Sequence, residues 1–109
     1  MPVRYTEAFK RQIKRLSRKY RRIRTDIEPV IHSLEAGETP GDQIPGVGHP
    51  LYKVRVKNTD ARHGQRGGYR LIYYLQTAHD ALLVTIYSKT EQTDIDAADL
   101  KQILDEEGE

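Results

Sequence analysis

Residues 51–57 read LYKVRVK, residues 67–75 read GGYRLIYYL, and residues 80–89 read DALLVTIYSK; together these runs decide the fold. In the first, Lys53, Arg55 and Lys57 alternate with Tyr52, Val54 and Val56. A strand has a side-chain period of two, so the pattern predicts a strand with three cations on one face. The other two runs are rich in β-branched and aromatic residues, and the link Thr77-Ala78-His79-Asp80 has hairpin length. Three consecutive strands are therefore predicted, over 51–57, 68–77 and 81–89. Arg70 stands at the head of the second.

On the N-terminal side, PVRYT alternates briefly and predicts a short first strand. Thr6 is placed to cap a helix in which Phe9, Ile13, Leu16 and Tyr20 form an apolar stripe, with Lys10, Arg11, Lys14, Arg15 and Arg18 on the other side. A second stripe, Ile23, Ile27, Val30, Ile31 and Leu34, predicts another helix ending near Ala36-Gly37. The joint falls between Tyr20 and Arg24, and so short a connection favours an antiparallel helical hairpin. ETPGDQIPGVGHP, residues 38–50, has neither helical nor strand period and reads as a loop. On the C-terminal side, Asp96 is an N-cap candidate for a helix over 97–105, with Leu100, Ile103 and Leu104 on one side. Asp94 suits the N-terminal end of that helix. Glu106, Glu107 and Glu109 oppose its dipole, which predicts a frayed last turn.

The chain of 109 residues is thus one domain of α+β class, spanning 1–109, in the order β-α-α-β-β-β-α. Three strands in succession favour an antiparallel sheet with the helical hairpin on one face, followed by a C-terminal helix. Val54, Val56, Leu71, Tyr73, Leu75, Leu82, Val84 and Ile86 are expected to meet the helices. The opposite face then carries Lys53, Arg55, Lys57, Arg70, Ile72, Tyr74, Thr85, Tyr87 and Lys89. It is too polar for a second core, and reads as a binding surface.

Charge sharpens that reading. The formal net charge of +2 hides an asymmetry: residues 1–24 hold ten Lys or Arg against Glu7 alone, and residues 90–109 hold eight acids against Lys101 alone. A basic body with an acidic tail points to a nucleic-acid or acidic-protein partner. The plainer reading is a solvated basic helix neutralised by the tail. With no cysteine, disulfides, thiolate catalysis and Cys-ligated zinc are excluded, which fits a reducing cytoplasm. No membrane span or secretory signal is expected, since the longest apolar run is only 81–86. His32, His49, His63 and His79 are scattered without HxxxH spacing, and Ser17, Ser33 and Ser88 have no neighbouring histidine. Neither a metal site nor a serine triad is expected, nor any cofactor.

A row of cations beside tyrosines needs little more to cleave RNA. The RNA's own 2′-hydroxyl attacks phosphorus, and cations near the non-bridging oxygens stabilise the developing charge. Arginine does so bidentately without losing its proton, and a lysine crowded by cations can exchange one. Tyrosine stacks on a base or donates a hydrogen bond. Lys53, Arg55 and Arg70 lead this site, with Lys89 next. The plainer reading of Lys53, Arg55 and Lys57 is a charged edge strand that resists aggregation.

YKVRV, GGYRLIYYL, and a hydrophobic strand running into YSK and an acidic segment together resemble the RelE/HigB group of bacterial type II toxin–antitoxin toxins. The predicted element order resembles the RelE/ParE fold over nearly the whole chain. The resemblance implies an mRNA endoribonuclease acting at the ribosomal A site and inhibiting translation. It also implies a cognate antitoxin, acidic and partly disordered when free, that covers the cations or displaces the C-terminal helix. Lys53 and Arg55 fall on the two basic positions of the family strand, Arg70 on the arginine that contacts the scissile phosphate, and Lys89 on a later basic position. Thr90 stands where a further arginine is expected, and Ile95 and Asp96 where a late tyrosine is. The proton-transfer partner is therefore not evident, with Tyr74 or Tyr87 as substitutes. Lys57, Arg62, Arg66, Tyr74 and Tyr87 complete the expected RNA contacts. Two other functions share this pattern: a ParE-like inhibitor of DNA gyrase, and a non-catalytic RNA-binding module.

Overall fold

In the computed structural model, residues 2–60, 68–77 and 80–109 are described. The order is β1 (Val3–Tyr5), α1 (Glu7–Ser17), α2 (Ile23–Glu35), β2 (Asp42–Gln43), β3 (Leu51–Val56), β4 (Tyr69–Thr77), β5 (Asp80–Ser88) and α3 (Ala97–Glu106). The five strands form one sheet in the order β1-β5-β4-β3-β2. The chain is α+β, as the sequence predicts. Two details differ. β1 runs parallel to β5, so the sheet is mixed, and the 38–50 loop contributes a two-residue strand, β2, on the edge of β3. The alternation of PVRYT marks β1 as a strand but not its direction of pairing, which, like the whole of β2, is set by the neighbour's backbone.

Thr6 caps α1 by accepting a hydrogen bond from the Phe9 N–H at 2.8 Å. Its hydroxyl also donates to the Val84 carbonyl at 2.6 Å, and its own N–H donates to Leu83 O. One buried threonine thus starts the helix and fastens it to β5. At the head of α2, Arg22 provides no side-chain cap. The Asp60 carboxylate, arriving from the far end of β3, accepts from the Arg22 N–H at 2.7 Å instead.

α1 and α2 lay Phe9, Ile13, Leu16, Ile23, Ile27 and Leu34 on one sheet face, against Val54, Val56, Tyr69, Leu71, Tyr73, Ala81, Leu83 and Ile86. The expected assignment holds for β3, for β4 and for Ile86, and fails at Leu82 and Val84 in β5. Ile72 pairs with Thr85 while Tyr73 pairs with Leu83, so Val84 is an extra residue in β5. A bulge of this kind resets the alternation. Leu83, not Leu82, faces the helical hairpin, and Leu82 and Val84 turn to the other side.

That other side is a second core, a correction to its reading as too polar for one. α3 packs there, burying Leu100 and Leu104 with Leu51, Ile72, Leu82, Val84 and Tyr87. The tail beyond α3 is also anchored rather than frayed. Glu107 accepts from the Glu7 N–H at 2.6 Å, at the positive end of α1, and Glu109 pairs with Arg4 at 3.2 Å and with Gln76. The carboxylates find the α1 dipole and a β1 cation in place of the unfavourable end of their own helix. Among the described residues, no helix is long and apolar enough to cross a membrane.

Candidate functional site

α3 covers only part of the second face. Beyond it, toward the start of β4, two rows of side chains cross three strands. Lys53, Ile72 and Thr85 form one row, and Arg55, Arg70 and Tyr87 the next. Arg55 and Arg70 are direct cross-strand partners, an arrangement that like charges disfavour. Burial, and then the charge of Arg55, lower the Arg70 pKa. The Arg70 guanidinium donates to the Tyr69 carbonyl at 3.1 Å, which keeps it close to the sheet.

Glycine sets the spacing of these rows. Gly68 has φ +54°, and a Cβ there would lie 2.3 Å from the Val56 carbonyl oxygen. Only a residue without a side chain lets β4 start this close to the end of β3. The Gly68 carbonyl also accepts from the Lys89 N–H at 2.9 Å, tying the end of β5 to the same point. The second glycine of GGYR is thus a requirement of the arginine pair.

Asp94 enters from the segment between β5 and α3. Its Oδ1 accepts from Lys53 Nζ at 3.3 Å, from the Tyr87 hydroxyl at 3.3 Å and from the Ile95 N–H at 2.9 Å. These bonds, the Ile95 N–H foremost and then Lys53, hold the Asp94 carboxyl below its ordinary pKa. Burial, the Asp94 charge and the shared hydrogen bond push the Tyr87 hydroxyl up to about 12. Lys89 serves the same segment: its Nζ donates to Thr93 O at 2.6 Å.

The residues expected from sequence sort accordingly. Lys53, Arg55, Arg70 and Tyr87 come together. Lys89 bonds the segment that carries Asp94. Lys57 is exposed just beyond β3. Tyr87 is 3% exposed, so its ring packs in the second core and is not open for stacking, and its hydroxyl bonds Asp94 in the cluster. Tyr74 lies one row beyond Lys53 and Ile72, between Leu51 and Leu82, edge-on to His49 at 5.3 Å and packed on the second core, outside the cation cluster. Arg62 and Arg66 lie outside the described residues. The cluster gives Lys53 a carboxylate neighbour, not the purely cationic crowding expected. Asp94 is the site residue that sequence reasoning missed. Its sequence position suits a helix-terminal charge, and no local pattern signals that it folds back over the sheet. Asp96 does occupy the N-cap position of α3, but its side chain makes no capping bond.

Residues 3–93 match the family model described as ParE toxin of type II toxin-antitoxin system, parDE. The chain belongs to this family. It is a toxin of a type II toxin–antitoxin system, within the RelE/ParE superfamily that the sequence motifs resemble, and the family implies a cognate antitoxin as its partner. The match spans β1 to the edge of the Asp94 segment and so includes every strand and both arginines of the toxin's cation rows.

Proposed function

We propose that this toxin is an mRNA endoribonuclease, needing no metal, that works in the cytoplasm on message at the ribosome and inhibits translation through 2′-hydroxyl transesterification. The observation that carries the reading is the Arg55–Arg70 pair. Two arginines paired directly across β3 and β4 bring like charges together, an arrangement that sheets disfavour. They become favourable once a phosphate lies between them, since both can donate in bidentate fashion to its oxygens. Lys53 stands one row away and adds a third charge to the developing phosphorane. Lys57, with Arg62 and Arg66 beyond it, would follow the RNA backbone.

The test is induction of the toxin in bacteria with mapping of transcript 5′ ends. New ends clustered within coding regions are expected, and Arg70→Ala should lower cleavage by about 10²-fold or more while leaving the fold intact. Growth arrest without new ends would sink the reading. A second function, inhibition of DNA gyrase, is favoured by the description of the matched family itself. It predicts lost supercoiling and a DNA-damage response with transcripts intact, and an arrest that persists in Arg70→Ala. Steep salt dependence of RNA affinity with no cleavage would instead mark a binding module.

A further inference from the structure

We propose that Asp94 is the general base of the cleavage, its Oδ2 taking the proton of the RNA 2′-hydroxyl as that oxygen attacks phosphorus. The inference rests on the endoribonuclease reading and supplies the proton acceptor that the cation rows lack. Three donors from three parts of the fold, Lys53 on β3, Tyr87 on β5 and the Ile95 N–H, converge on Oδ1. Among the described residues Oδ2 accepts no hydrogen bond, and the side chain is 67% exposed. The carboxylate is therefore fixed through one oxygen and presents the other. Lys53 and Tyr87 stand two strands and one row apart, so an oxygen bonded to both lies over β4, at the level of Arg70 and Ile72. The open oxygen is thus beside the place where Arg55 and Arg70 would hold a phosphate.

A face built only to bind RNA would do better without this carboxylate, which competes with phosphate for the same cations. Its place at the centre favours chemistry over simple binding. An aspartate is ionised at neutral pH, and the bonds to Oδ1 lower its pKa further, so the acceptor form is populated there. The step balances without any further reactant. The O2′–H proton passes to Asp94 Oδ2 as the O2′–P bond forms. The P–O5′ bond breaks, its electron pair stays on O5′, and Lys53 supplies a proton there. Asp94 then releases the proton from Oδ2 to solvent, and Lys53 takes one up from solvent, since both side chains are partly open to it. The products are a 2′,3′-cyclic phosphate and a 5′-hydroxyl, and both side chains are reset.

The experiment compares wild-type toxin with Asp94→Asn in single-turnover cleavage of a short mRNA on programmed ribosomes. Binding is measured with the same mRNA carrying a 2′-deoxy nucleotide at the cleavage point. Asparagine keeps an acceptor for the Oδ1 contacts but cannot take a proton. Cleavage should fall about 10²- to 10⁴-fold, with binding of the 2′-deoxy mRNA unchanged or tighter and the melting temperature retained. Cleavage at the wild-type rate overturns the proposal. So does faster cleavage, which would make Asp94 an occluding anion, and so does a parallel loss of binding and thermal stability, which would make it structural. Absence of cleavage by the wild-type toxin would remove the endoribonuclease reading and this proposal together. Active wild type with active Asp94→Asn removes the proposal alone.

Discussion

The two faces of the sheet are built on different principles. The face under α1 and α2 is a continuous apolar core running from Phe9 to Ile86, with Thr6 capping α1 beside it. The face under α3 is divided. One half is a smaller core of Leu51, Ile72, Leu82, Val84, Leu100 and Leu104, and the other half is the cluster of Lys53, Arg55, Arg70 and Asp94. The first face holds the fold, and the second gives up part of its burial to keep charges within reach of solvent. The division also bears on the antitoxin. A partner that covers the cations leaves the second core intact, whereas one that displaces α3 must replace Leu100 and Leu104 with apolar groups of its own.

The sharpest way to break this comparison is to remove one side chain from each face. Leu83→Ala, on the first, should cost about 2–5 kcal/mol through lost burial and a residual cavity. Arg55→Ala, on the second, should change stability by no more than about 0.5 kcal/mol, or raise it slightly by relieving the repulsion with Arg70. Chemical denaturation of the two variants checks both. Equal losses would mean that the second face is as structural as the first. A smaller effect tests the link between them. Thr6→Ala removes the α1 cap and leaves the buried Val84 carbonyl without its side-chain donor, for a loss of roughly 2 kcal/mol in urea melts. No loss would show that α1 is fixed to β5 by packing alone.

The smallest expected effect is in pH. Asp94 is depressed by the Ile95 N–H and by Lys53 from β3, with Tyr87 from β5 donating to the same oxygen. A carboxyl whose folded pKa is lowered contributes stability that is fully present above its unfolded value and is lost as pH falls through the folded one. Wild type should therefore lose stability relative to Asp94→Asn only below the ordinary carboxylate range. Acid melts of the two proteins check this, and parallel curves would show that the contacts of Asp94 are energetically idle. The effect is small because the group is mostly exposed and its ion pair is screened.

Much of this was legible in the chain itself. Alternation in LYKVRVK placed Lys53 and Arg55 on one face and Val54 and Val56 on the other, and the stripes from Phe9 to Leu34 placed both helices and their joint. A strand's own sequence fixes which of its side chains share a face, because the period of two is a local property of extended backbone. Thr6 was legible for the same reason, since capping is a contact made within one helical turn. The GGYR motif marked Arg70.

The tertiary structure decided what local periods cannot carry. The extra residue Val84 reverses the faces of Leu82 and Leu83, and a bulge is visible only in the pairing of β5 with β4. The expectation that the cationic face lacks a core failed because it counted the residues of three strands and not the apolar side of α3. Asp60 caps α2 from 38 positions away, and Glu107 meets α1 across 100. Asp94 is the clearest case. By sequence it is one acid among eight in an acidic tail, and its position over β4 depends on where β5 ends, where α3 docks and how Lys53 and Tyr87 are spaced across the sheet. The sequence by itself determined the helices, every strand but β2 and the row of cations. Only the assembled sheet, with α3 against its second face, brought a carboxylate to that row, because the distance between Lys53 and Asp94 is set by strand pairing and core packing and not by the 41 positions that separate them in the chain.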